Sequence, residues 1–139
     1  MSRYYFAYGA NVNAKNMAIR CPNATFVGTG VLEGFTFLCN TRGVASIEPS
    51  LGENVYGVVW ELTQEDEAFL DLFEGVKGGW YSKEQLFVHT GDATKECLVY
   101  MATNNTHGKG VKDYLETIIE DAKAYAFPKE YSEHLKTFL

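Results

Sequence analysis

Glu74, in the run Leu72-Phe73-Glu74-Gly75-Val76, is the carboxylate of this 139-residue chain whose setting best suits proton transfer. It stands where an apolar helical face meets a glycine, and it closes a run of acids, Glu61, Glu65, Asp66, Glu67 and Asp71, with no Lys or Arg between them. Neighbouring negative charge, partial burial and the negative end of a helix dipole all disfavour ionisation, so its pKa is expected to rise toward the range of a general base. On spacing alone it is also one of 13 glutamates, a residue type that mostly decorates solvated surface. The second candidate is Tyr8-Gly9-Ala10-Asn11. A glycine turn between a strand end and a helix start leaves consecutive backbone N–H groups free to converge on an anion such as a carboxylate. The same four residues have the form of an ordinary tight turn, and they match neither GxxxxGK[ST] nor GxGxxG.

Tyrosines form a third group. Tyr81 follows the loop Lys77-Gly78-Gly79-Trp80, Tyr100 sits in strand-like sequence, and Tyr114 falls on the apolar face of a helix. Phenols in such positions orient a polar ligand, or simply pack. His89, His107 and His134 share no metal-ligand spacing with one another or with the cysteines, so no metal site is expected. Cys21, Cys39 and Cys97 contain no CxxC pair and read as reduced packing residues. A GxSxG elbow is absent, which removes that class of serine hydrolase.

Elements able to position these groups can be read from the pattern. Arg3 to Tyr8 is apolar and aromatic, a short buried strand stopped by Gly9. Asn11 or Asn13 caps a short helix carrying Met17 and Ile19 that ends at Cys21-Pro22. Residues 25–42 and 44–48 read as strands broken at Arg42-Gly43, and Val55 to Leu62 as another. Thr63 caps a helix with acids in its first turn, an apolar face of Phe69, Leu70 and Phe73, and Gly75 just past its end. Tyr81–His89 and Cys97–Ala102 form a hairpin across Thr90-Gly91-Asp92. Val111, Tyr114, Leu115, Ile118, Ile119, Ala122 and Tyr125 mark one face of a long helix, and a last helix starts near Pro128 with Tyr131, Leu135 and Phe138. Strands with helices inserted and then appended give an α+β class, with a strongly curved or barrel-like mixed sheet.

Composition narrows the partners. Twelve Lys and Arg against 18 Asp and Glu give a formal charge of −6, and no basic cluster offsets it, so nucleic acid is not an expected partner. The opening residues contain no signal-like apolar core and no stretch approaches 18 apolar residues, so no membrane partner and a cytoplasmic location are expected. A chain of this length buries about 68% of its unfolded surface, enough for one domain over residues 1–139.

Taken together, Tyr5-Phe-Ala-Tyr-Gly-Ala-Asn11, Val55-Tyr-Gly-Val-Val-Trp60, Leu70-Asp-Leu-Phe-Glu-Gly-Val-Lys-Gly-Gly-Trp-Tyr81 and Tyr100-Met-Ala-Thr-Asn104 resemble the γ-glutamylcyclotransferase family, in the same order and at similar separations. The tail from Tyr114 to Tyr131 resembles the closing helices of that family. The resemblance implies a barrel-like α+β fold in which the first loop, Tyr5, Phe6, Ala7, Tyr8, Gly9, Ala10 and Asn11, holds a glutamyl group. It also implies Glu74 as acid/base, and Tyr81, Tyr100 and Tyr114 as pocket residues. No metal or cofactor is implied, only a small γ-glutamyl substrate cyclised to 5-oxoproline by a monomer or homodimer. Alternatives are γ-glutamylamines, a γ-glutamyl protecting group in a biosynthetic intermediate, or a silent binding module. Two positions depart from the pattern: Ala10 stands for a serine, and Asp121-Ala122 for a Gly-Ala pair. The leaving group is expected to meet loops 41–54, 77–80 and 103–110.

Overall fold

Side chains of the first strand, β1 (Arg3–Ala7), alternate between two cores, as the two-residue period of a strand requires. Phe6, followed by Tyr8, joins one buried cluster; Tyr5 and Ala7 join the other. In this computed structural model, which describes residues 3–139, a 3₁₀ turn (Ala10–Val12) and α1 (Ala14–Arg20) follow β1. Met1 and Ser2, the start of the expected 1–139 unit, lie outside the described residues. Next come β2 (Thr25–Cys39), β3 (Ala45–Leu62), α2 (Gln64–Phe73), β4 (Tyr81–Thr90), β5 (Ala93–Ala102), α3 (Lys112–Ala124) and α4 (Lys129–Lys136).

The five strands close into a barrel in the order β1-β3-β2-β4-β5, with β1 antiparallel to β3 and parallel to β5. Closure removes exposed strand edges, and it fills the interior with inward-facing side chains. Phe6, fully buried, occupies the centre where Gly30 of β2 and Gly57 of β3 are paired. A Cβ on Gly57 would lie 2.1 Å from the Ala7 carbonyl oxygen and 2.9 Å from the Phe6 ring, so glycine is the residue that lets the ring in. The inner cluster continues through Val55, Val59, Cys97 and Val99 to Leu115, Ile118, Ile119 and Leu135 of the closing helices. On the outer face, Val58, Trp60, Leu62, Leu98 and Tyr100 pack with Met17, Cys21 and Leu70 of α1 and α2.

Several sequence expectations are corrected. Residues 44–48 and 55–62 are not two strands separated by a loop: β3 is one 18-residue strand, in which Pro49 pairs with Phe35 and Asn54 with Glu33, and residues 50–53 lie at the register shift between those pairs. Pro49 and the left-handed Gly52 gave that arm its loop-like sequence, while the flanking pairs with β2 keep it within one strand. Asn13, not Asn11, caps α1, its side chain accepting from the N–H groups of Lys15 and Asn16. Leu70 alone of the expected α2 face is buried; Phe69 and Phe73 are half exposed and stack on each other, 6.4 Å between centroids. The β4–β5 turn is shorter than expected, β5 beginning at Ala93, and Phe138 lies beyond the end of α4. No helix among the described residues is long and apolar enough to cross a membrane. The Gly57→Ala variant is expected to lose about 3 kcal/mol by overpacking, measured as a lower midpoint of urea unfolding.

Candidate active site

Helix α2 stops because Gly75 adopts a left-handed backbone, φ 67°. The Gly75 N–H donates to the Leu72 carbonyl and the Val76 N–H to the Asp71 carbonyl, the paired bonds of a Schellman ending. Glu74 is therefore the last residue before a fixed reversal, and its direction is set by backbone rather than by a side-chain partner. Gly75 also makes room for Trp80: a Cβ there would come within 2.8 Å of Trp80 Cδ1. The Trp80 N–H donates to the Gly75 carbonyl, closing the loop behind Glu74.

Glu74 faces a cavity of about 300 Å³. Tyr5, Phe6, Tyr8, Gly9, Ala10, Asn11, Tyr81, Tyr100 and Tyr114, every other expected site residue but one, line it too. The exception is Ala7, a single methyl buried with Val12 and Met17 on the face of β1 that it shares with the longer Tyr5. Sequence reasoning did not name Arg20, Phe73 or Gly75 in the lining, and it reached Arg42, Val44 and Ala45 only as members of the 41–54 loop. Arg20 has no spacing signal, whereas Phe73 and Gly75 flank Glu74 in sequence. Of the three loops expected around the leaving group, 41–54 contributes Arg42, Val44 and Ala45, and 77–80 contributes Trp80, whereas residues 103–110 do not line the cavity. Asp121 lies outside it too, accepting from Asn13 Nδ2 and so tying α3 to the cap of α1.

Burial pushes the Glu74 carboxyl up to about 7, with the Arg20 guanidinium acting in the opposite direction. The expected contribution from the neighbouring acids is corrected: Glu67 pairs with Arg3 at 2.8 Å and Lys83 at 2.6 Å, and Asp71 pairs with Lys83 at 2.9 Å. Their charge is spent on cations from β1 and β4. Arg20 is itself held in place: it donates to Asn11 Oδ1, and its Cζ sits 4.1 Å from the Phe73 ring centroid.

In the part of the lining that holds the 3₁₀ turn, its internal bonds begin with the Val12 N–H on Gly9 O and the Asn13 N–H on Ala10 O. The N–H groups of Gly9, Ala10 and Asn11 precede them and are not used by the turn. Losing the serine hydroxyl at Ala10 leaves these backbone donors intact. Asn11 is buried and fixes the turn by three bonds: Nδ2 donates to Tyr5 Oη, Oδ1 accepts from Arg20, and its carbonyl accepts from Trp60 Nε1 at 3.0 Å.

The tyrosine hydroxyls divide into two kinds. Tyr8 donates to the Tyr100 carbonyl, Tyr81 to the Ala45 carbonyl at 2.9 Å, and Tyr100 to Asp71 at 2.7 Å. Tyr5 accepts from Asn11 and Tyr114 from the Ala45 N–H at 3.0 Å, so both keep their own protons to offer. Burial raises the pKa of both phenols, and the Glu74 charge adds to it, so they stay neutral donors. One residue, Ala45, thus anchors Tyr81 of β4 through its carbonyl and Tyr114 of α3 through its N–H.

Other nucleophiles and ligands are occupied elsewhere. Burial raises Cys21 to about 12 and Cys39 and Cys97 to about 11, so all three stay thiols. His107 contacts Glu48 at 2.7 Å, and His134 the Phe37 carbonyl at 2.7 Å. Among the described residues, His, Cys, Asp and Glu form no group of three able to hold a metal ion.

Residues 54–135 match the model of the AIG2-like family, a stretch that includes Glu74, Tyr81, Tyr100 and Tyr114 but neither the Gly9 turn nor the two arginines. Over the longer comparison, the chain is 32% identical to the γ-glutamylcyclotransferase of Mus musculus and 33% identical to that of Homo sapiens. Both alignments cover 95% of this chain and 76% of the relative. A solved structure described as a γ-glutamyl cyclotransferase superposes with a TM-score of 0.90 at 31% identity, over 100% of this chain and 89% of that one.

A buried carboxylate whose pKa rises on folding stabilises the fold fully below its unfolded value, near 4.5, and loses that contribution as pH climbs through about 7. Glu74→Gln has no charge to bury. At pH 8 it is expected to be more stable than the parent, on the order of 3 kcal/mol, with the gap closing below pH 5; thermal unfolding across that pH range measures it.

Proposed function

This chain belongs to the γ-glutamylcyclotransferase family, and from that premise we propose that it cyclises a γ-glutamyl compound to 5-oxoproline and releases the amine-bearing remainder. The observation that carries the reading is that one cavity is lined both by a carboxylate poised near neutrality and by a turn with unspent backbone N–H groups. A γ-glutamyl group has an α-ammonium and an α-carboxylate on one carbon, and these two features offer one partner for each.

In this mechanism the N–H groups of Gly9 and Ala10 hold the α-carboxylate. Glu74 takes a proton from the α-ammonium. The freed lone pair attacks the γ-carbonyl carbon, and the carbonyl electrons move onto oxygen. The hydroxyls of Tyr5 and Tyr114 are the donors for that oxyanion, since they still have protons to give. Collapse re-forms the carbonyl and breaks the bond to the leaving nitrogen, which takes the proton held by Glu74; the ring nitrogen then gives its surplus proton to Glu74, which passes it to the released amine. One C–N bond is exchanged for another and no water is consumed. The nucleophile belongs to the substrate, so the protein's contribution is to hold the chain folded, and proximity of this kind accounts for several kcal/mol of the roughly 7 to 11 it can supply. Arg20 keeps the Glu74 pKa from rising further, which preserves the basic form at neutral pH.

Replacing Glu74 by Gln is expected to lower kcat by about 10²- to 10⁴-fold with the fold intact, measured as 5-oxoproline release from γ-glutamyl dipeptides. An undiminished rate would remove Glu74 as the base. In the parent protein, kcat/KM is expected to fall tenfold per pH unit below about 7, where Glu74 becomes protonated. Tyr114→Phe is expected to reduce kcat by about 10- to 100-fold and KM little, since it deletes a donor to the transition state; steady-state kinetics separate the two.

A further inference from the structure

Two guanidinium groups border the cavity, and they differ in what surrounds them. Arg20 is bonded to Asn11 of the anion-holding turn, and its charge acts on Glu74, Tyr5 and Tyr114, so it belongs to the glutamyl end. Arg42 comes from the turn joining β2 to β3. Its Cζ lies 4.0 Å from the Trp80 ring centroid, and its charge acts on Tyr81. Trp80 in turn is seated against Gly75, the residue after Glu74. Arg42 is thus a cation held by stacking at the cavity wall, and among the described residues its guanidinium makes no ion pair with a carboxylate. The Lys and Arg side chains paired with carboxylates there are Arg3, Lys83 and Lys136.

We infer that Arg42, stacked on Trp80, receives the carboxylate of the leaving amino acid and is the residue that sets a preference for γ-glutamyl amino acids over γ-glutamylamines. The inference rests on the cyclotransferase reading above and deepens it by naming a specificity-determining residue. Its basis is charge matching. A γ-glutamyl amino acid carries one ammonium and two carboxylates, and the cavity answers with Glu74 for the ammonium, the Gly9 turn for the α-carboxylate and Arg42 for the second carboxylate. A γ-glutamylamine has no second carboxylate and would leave the Arg42 cation facing an alkyl group. A guanidinium already stacked on an aromatic ring loses little side-chain freedom on binding, and its planar fork suits a carboxylate.

The test compares γ-glutamylalanine with γ-glutamylethylamide, which lacks only the second carboxylate. The parent protein is expected to favour γ-glutamylalanine by at least tenfold in kcat/KM. In Arg42→Gln that preference is expected to shrink by about 10- to 100-fold, through the KM of γ-glutamylalanine rather than its kcat, and Arg42→Lys is expected to restore part of it. Equal losses for both compounds, or a preference left intact by Arg42→Gln, would overturn the assignment. Calorimetric binding of γ-glutamylalanine to Glu74→Gln, with and without Arg42→Gln, probes the same contact independently of turnover. If no 5-oxoproline forms from either compound, the cyclotransferase reading falls, while a tenfold weaker affinity in the double variant still upholds the carboxylate site.

Discussion

Everything in the cavity hangs from β1, a five-residue strand paired on both edges and buried on both faces. Its register is overdetermined. A slip of one residue would exchange Phe6 with Tyr5 and Ala7 and present the wrong set to each core at once. Because the strand cannot slide, the point at which it ends is fixed in space, and the Gly9 turn, Asn11 and the two hydroxyls of Tyr5 and Tyr8 are placed with it. Gly57 and Gly30 are the other half of this constraint, since they give Phe6 the volume that locks the strand in the barrel.

The carboxylate wall is arranged on another principle. Burying Glu74 costs stability above neutral pH, and nothing in α2 compensates directly. What the helix does instead is divide its acids. Glu67 and Asp71 are paired with Arg3 and Lys83, and Asp71 also accepts a hydrogen bond from Tyr100, so their field falls on that phenol rather than on Glu74. Glu74, one turn further on and past the last helical position, is left with burial as the main influence on its proton and Arg20 as the counterweight.

How much of this could be read from the chain follows from how local each feature is. The strand before Gly9, the Thr63 cap, the Gly75 ending and the apolar face of α3 each depend on residues within a few positions, and the structure has them where the sequence put them. The site residues drawn from those segments line one cavity, except Ala7, whose methyl is buried beside Val12 and Met17. The long arm of β3 was not legible, because Pro49 and Gly52 read as a loop until the pairs Pro49–Phe35 and Asn54–Glu33 are laid on either side of it. Arg20 was not legible either, and Arg42 only as part of its loop: a lone cation in a short helix or a hairpin turn has no pattern, and only barrel closure brings it to the wall. The acidic run was legible as a run but misleading as a cause, since its cationic partners come from distant strands.

The Ala45 peptide, the Schellman ending at Gly75 and the N–H groups before Val12 have one thing in common: each is made by main chain. At Ala10 and Ala45 such groups do not depend on the side chain attached to them, whereas the Gly75 ending requires its glycine. The anion-holding turn is therefore insulated from drift, whereas Glu74, Tyr5 and Tyr114, like Arg42 and Trp80, act through side chains and can be lost in one codon. A lineage built on this barrel keeps the frame of its cavity more readily than the groups that do chemistry in it.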